Sequence, residues 1–84
     1  MFCIEIQETA YKNLKKLDKQ HAIKILKTIK KLENFPDITN IKKLKNFTPT
    51  HRLRVGDYRV LFGVDIENNI IKIGEVKHRK ESYK

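Results

Sequence analysis

At 84 residues the chain has room for one domain, 1–84, and a single two-layer core burying ~60–65% of its unfolded surface, which leaves no space for a separate cofactor domain. Its formal net charge of +9 favours acidic partners such as RNA, DNA or an acidic protein segment, although a general lysine bias yields the same charge without any function. The lone cysteine, Cys3, excludes a disulfide framework and a thiolate metal cluster, and no apolar run approaches the ~20 residues of a membrane helix. With no secretory leader in the opening residues, these features lead us to expect a reduced, cytoplasmic setting.

Phe2, Ile4 and Ile6 alternate with Cys3, Glu5 and Gln7, the period of a half-buried strand. From Glu8 to Leu17 the period changes: Ala10, Leu14 and Leu17 share one helical face, and Lys12, Lys15 and Lys16 point elsewhere. Asp18 suits the N-cap of a second helix running from about Lys19 to Asn34, with Ala22, Ile25, Leu26, Ile29 and Leu32 as its apolar stripe and Pro36 as its stop. Almost no loop separates the two helices, so they are expected to fold back as an antiparallel hairpin. Lysines 24, 27, 30 and 31 form the wet side of the second helix. Such a charge run reads either as a solvated face or as a surface for RNA or membrane, and the greasy groove opposite suits an apolar partner segment. Asp37 to Pro49 is a connector in which Ile41 to Lys45 forms a short strand or stays a loop; Lys42, Lys43 and Lys45 widen the positive field of the arginine-bearing stretch beyond it.

His51 to Val64 reads as two short strands joined at Gly56-Asp57, a Gly-X pair that suits a two-residue turn with positive φ at its first position. That turn sets Val55 opposite Tyr58, Arg54 opposite Arg59, Leu53 opposite Val60 and Arg52 opposite Leu61. One face then carries Arg52, Arg54 and Arg59, and the other carries Leu53, Val55, Tyr58, Val60, Phe62 and Val64 as a core face. Like charges directly opposite destabilise a sheet, and an anion held between two guanidinium groups relieves the cost. Of 19 basic residues only Arg52, Arg54, Arg59 and Arg79 are arginine, so arginine stands where its planar, bidentate fork is useful. The same charges also read as a strand edge kept polar against aggregation. A turn over Asp65 to Asn69 leads into a third strand, Ile70 to Val76, whose side-chain directions the sequence leaves open. The order strand, helix, helix, then three or four antiparallel strands predicts an α+β layer with the helices on one side and the arginine face uncovered.

The groups suited to proton transfer near neutral pH are His21, His51 and His78, with Tyr83 or a lysine as less ready candidates. His21 reads as a surface residue at the start of a helix, and His51 as a structural residue opposite Phe62. His78 lies in a basic tail beside Arg79 and Tyr83. Guanidinium groups with one imidazole or phenol suit metal-independent RNA cleavage, in which the ribose 2′-OH attacks the adjacent phosphate and cations stabilise the charge on its oxygens. A ring such as Tyr83 also suits stacking on an exposed base.

The stretch His51-Arg-Leu-Arg-Val-Gly-Asp-Tyr-Arg-Val-Leu-Phe and the closing His78-Arg79-Lys80-Glu81-Ser82-Tyr83 resemble the "RLRVGDYRVLY" and "HRKDVY" stretches of the RelE branch of the RelE/ParE superfamily, toxins of toxin–antitoxin pairs. Element order and length extend the resemblance over essentially the whole chain. It implies a RelE-like fold and a ribosome-dependent mRNA endonuclease that needs no metal and no cofactor. Its partners would be the ribosome, mRNA and a cognate, acidic antitoxin that lays an apolar segment along the helical groove. Carried over, Arg59 stabilises the transition-state phosphate and Arg79 holds phosphate from the other side. Tyr83 stacks on a base or moves a proton, with His78 the alternative base. Arg52 and Arg54 fall where basic groups replace a conventional acid/base pair, and Lys43, Lys45 and Lys80 complete the expected phosphate-binding set. The ParE branch shares this fold but poisons DNA gyrase without RNA chemistry, and a catalytically inactive RNA-binding member is a further alternative.

Overall fold

The computed structural model describes residues 1–44 and 49–80; of the expected site residues, Lys45 and Tyr83 lie outside the described residues. Strand β1 (Cys3–Ile6) is followed by helices α1 (Glu8–Lys16) and α2 (Lys19–Lys30), a 3₁₀ turn (Lys31–Asn34), and strands β2 (Ile41–Lys43), β3 (His51–Val55), β4 (Tyr58–Asp65) and β5 (Ile70–His78). The strands form one sheet in the order β1-β5-β4-β3-β2, antiparallel except for β1, which runs parallel to β5. The fold is therefore the expected α+β layer, with one strand before the helices and, among the described residues, four after them. The two outermost strands are short: β1 adds beyond the meander along β5, and the three residues of β2, where the sequence left strand or loop open, pair with β3.

The helical hairpin covers one side of the sheet because its apolar residues recur at helical spacing. Ala10 and Leu14 of α1, and Ile25 and Ile29 of α2 with Leu32 beyond it, enter one core with Leu53, Val55, Val60, Phe62, Ile71, Ile73 and Val76. Asp18 caps α2 as expected, its carboxylate accepting the His21 N–H at 3.0 Å. That bond, first among several contacts with His21, holds the Asp18 carboxyl below its ordinary value. Asn13 of α1 accepts the Val76 N–H at 3.0 Å, past the point where β1 stops pairing with β5 at Ile73. A backbone donor left by the short edge strand is thus satisfied from the helix layer. Leu26 departs from its expected place in the apolar stripe: it is exposed, in a groove shared with Ile4, Ile6 and Ile29, with no further layer of the described chain above it.

The β3–β4 hairpin has the register its sequence dictates, Val55↔Tyr58, Arg54↔Arg59, Leu53↔Val60, Arg52↔Leu61 and His51↔Phe62. Gly56 takes the turn's positive φ of 59°, a conformation open to glycine without a Cβ penalty. In β5 the pairing shifts between Leu61 and Phe62: Phe62 faces Ile73, but Leu61 faces Glu75, leaving Gly74 as the extra residue of a β-bulge. The bulge flips the alternation in mid-strand. Ile71 and Ile73 face the core before it and Val76 after it, so Glu75 and Lys77 fall on the outer side of the sheet. Pro49 explains why glycine suits the bulge, since a Cβ at position 74 would stand 3.1 Å from the proline Cγ.

Candidate functional site

The outer face was expected to be uncovered, and near the hairpin turn it is open: Arg54 is exposed and Arg59 half-buried. Farther from the turn the expectation fails. Leu61, on the same side as Arg52, is only 6% exposed although it stands apart from the helix-side core, and Pro49 packs against Gly74 beside it. Pro49, two residues before β3, therefore lies over the middle of this face and confines the charged surface to its turn-proximal half.

One row of side chains crosses that half, and a second borders it where Leu61 is covered. The register places Arg54 beside Arg59 and Arg59 beside Lys77, three cations on adjacent strands. The next row runs Lys42, Arg52, Leu61 and Glu75. Adjacent strands lie about 4.8 Å apart, so like charges set abreast repel one another, and nearby carboxylates or a bound anion offset that cost. Arg54 Nε makes a long contact of 3.5 Å with the Gly56 carbonyl, and Lys77 Nζ lies 3.7 Å from Glu75 Oε2. Arg79 follows β5, and its backbone N–H donates to the Asp57 carbonyl, fixing it at the turn end of the rows. Arg79 is exposed, with Lys80 next to it.

Not every expected residue joins this face. Lys43 pairs with His51 and so lies on the opposite side of its strand; its neighbour Lys42, paired with Arg52, shares the arginine side. His78 pairs with Tyr58, also on the opposite side, with the two rings 5.2 Å apart edge to face. The Lys80 N–H donates to His78 Nδ1 at 3.2 Å, so a neutral His78 ring carries its proton on Nε2 and presents a donor there. His51 stacks on Phe62 with ring centroids 5.3 Å apart, as its structural reading requires. Burial lowers its pKa from the ordinary value, with the nearby Lys43 charge adding to the effect. His21 is exposed, but it is more than an isolated surface residue. Its ring lies 5.4 Å from that of Tyr58, and with Lys24 it lines a small cleft beside the turn, on the helix side.

Glu75 and Lys77 are residues of the charged rows whose sides could not be assigned from spacing. Their face depends on the Gly74 bulge, and the available hint was a glycine inside an otherwise apolar strand.

A family model described as the ParE toxin of the type II toxin–antitoxin system parDE matches residues 4–83. The chain belongs to this toxin family, within the RelE/ParE superfamily. Solved structures agree in fold. The archaeal RelE–RelB complex from Pyrococcus horikoshii is similar at 30% identity and a TM-score of 0.78, the match covering 93% of this chain and 94% of that one. The toxin–antitoxin complex RelBE2 from Mycobacterium tuberculosis is similar at 25% identity and a TM-score of 0.80, covering 93% and 98%. The YoeB dimer from Staphylococcus aureus follows at 26% identity and a TM-score of 0.68, covering 92% and 95%. No curated protein sequence matches the chain. The protein is thus a RelE-like toxin of a toxin–antitoxin system, and among its described residues no helix is long and apolar enough to cross a membrane.

Proposed function

We propose that this RelE-like toxin is a ribosome-dependent mRNA endoribonuclease acting without a metal, and that the turn-proximal half of the outer face is its cutting surface. The observation that carries the reading is the row Arg54, Arg59 and Lys77 across three adjacent strands. Cations placed abreast are costly for folding and well suited to a bridging phosphate. In the reaction the ribose 2′-oxygen attacks the adjacent phosphorus and the 5′-oxygen leaves, while negative charge grows on the non-bridging oxygens. Arg59, at the centre of the row, stabilises that charge, and Arg79 approaches the phosphate from the turn end. Arg54 and Arg52 carry the flanking backbone phosphates, with Lys80 extending the field. Tyr83 stacks on a base beside the cut or moves a proton, as its motif implies. His78, from the far side of the strand, reaches the reaction only as a donor through Nε2. The ribosome supplies the path that holds the mRNA.

The Pyrococcus and Mycobacterium relatives are complexes of toxin with antitoxin. A cognate antitoxin is accordingly the partner proposed here, acidic enough to cover the arginine rows. The open groove of Ile4, Ile6, Leu26 and Ile29 suits an apolar segment of the same antitoxin. The ParE description of the matching family model favours one second reading, a gyrase inhibitor without RNA chemistry.

Purified toxin added separately to a translating extract and to a gyrase supercoiling reaction distinguishes the two. The first reading expects cuts within translated message and unchanged supercoiling. Intact message with stalled gyrase would replace it by the second.

A further inference from the structure

The reaction proposed above needs a group to take the 2′-hydroxyl proton, and the structure points away from histidine. His78 lies on the other side of β5 with Nδ1 engaged by the Lys80 N–H, and His51 is packed against Phe62. Among the described residues, the two rows of the outer face contain one carboxylate, Glu75. Its side chain is about one-third exposed, at 35%, and its Oε2 lies 3.7 Å from Lys77 Nζ. Glu75 pairs with Leu61, one row from the Arg59–Lys77 pair, so Arg59 is its diagonal neighbour across the strands. Diagonal positions are about 7–8 Å apart at the backbone, within reach of long side chains.

The surroundings are specific. Arg59 lies diagonal to Glu75 on β4, Arg52 stands in its row on the strand beyond, and Lys77 follows it on its own strand; Lys72 lies before the bulge on the same face. Leu61 beside it is buried and brings no competing polar group. The Gly74 bulge is what places Glu75 there, because uninterrupted alternation after Ile73 would have turned it toward the helices. A carboxylate turned toward a cationic row by a local backbone irregularity is suited to a reaction step.

We infer that Glu75 is the general base of the cleavage, an inference that rests on the ribonuclease reading. The Glu75 carboxylate removes the 2′-hydroxyl proton as the 2′-oxygen forms its bond to phosphorus. The bond from phosphorus to the 5′-oxygen breaks, and the leaving oxygen takes a proton from water. The products are a 2′,3′-cyclic phosphate and a 5′-hydroxyl end, and Glu75 returns its proton to solvent. Lys77 positions the carboxylate beside the phosphate held by Arg59.

The test is single-turnover cleavage of ribosome-bound message by the full-length toxin across a pH series, with toxin binding to the ribosome measured in parallel. Glu75→Gln should slow cleavage by roughly 10²–10⁴-fold, remove the rise of rate with pH on the acid side, and leave ribosome binding unchanged. Glu75→Asp should recover part of the rate together with the pH-dependent limb, and it provides a second readout if the glutamine variant fails to fold. Parent-like rate and pH profile in the glutamine variant would overturn the assignment while leaving the ribonuclease reading in place. So would loss of ribosome binding with cleavage per bound toxin unchanged. A parent toxin that binds ribosomes but never cuts would overturn the ribonuclease reading and this inference together.

Discussion

The two faces of the β3–β4 hairpin are built from alternate residues of the same strands, yet they answer to different physics. On the helix side Leu53, Val55, Val60 and Phe62 are buried and fit one core. On the outer side Arg54 and Arg59 stand directly opposite each other, an arrangement that costs stability by itself. Burial selects one set, and the phosphate-holding role proposed above would account for the other. A one-residue shift of the strand register would exchange the two sets, so hydrophobic burial also aims the arginines outward.

The largest expected effect lies on the buried side. Phe62 is 0% exposed and meets Phe35 and His51 rings as well as the apolar core, so Phe62→Ala should lose about 3–5 kcal/mol, most of the stability of a domain this small. Urea denaturation measures it; a loss below about 1 kcal/mol would mean that the helix side is not the core. The outer side predicts the opposite sign. Arg54→Ala removes one of two facing charges and only a long contact to Gly56, so it should raise stability by about 0.2–1 kcal/mol, more at low salt, while weakening RNA cleavage. Destabilisation that grows as salt is removed would show that Arg54 is held by attraction within the fold.

A smaller effect links the buried side to pH. His51 titrates below its ordinary value in the folded chain because burial penalises its charged form. Between that lowered value and about 6.5 the unfolded chain binds more protons, so stability is full above about 6.5 and falls as pH drops through this window. Thermal midpoints at several pH values should show the fall, and His51→Phe, which keeps a ring against Phe62, should flatten it. An unchanged slope in that variant would assign the dependence to other groups.

The same contrast explains how far the sequence could be read. Strict alternation around Gly56-Asp57 made the hairpin register and the arginine pair legible, because local turn chemistry and burial agree there. Asp18 was legible for a similar reason, since a capping residue acts through its own neighbours. Beyond the hairpin, information becomes nonlocal. The Gly74 bulge shifts the period of β5, so Glu75 and Lys77 could not be placed from spacing alone. The parallel pairing of β1 with β5 joins opposite ends of the chain, and no local signal marks it. Leu26 kept the correct helical phase but faces a groove that no described element covers. Pro49 over Gly74, with Leu61 buried beside them, shows that the charged face is smaller than alternation suggested.

Whether the arginine side of the sheet cuts RNA is the central question. Inducing the toxin and its Arg59→Ala variant in cells and mapping new mRNA 5′ ends against reading frames tests it most directly. The expected result is abundant ends confined to translated frames with the parent, falling by about 10²-fold or more with a soluble, folded variant. Equal cutting by both proteins, or growth arrest by the parent with message left whole, would contradict it.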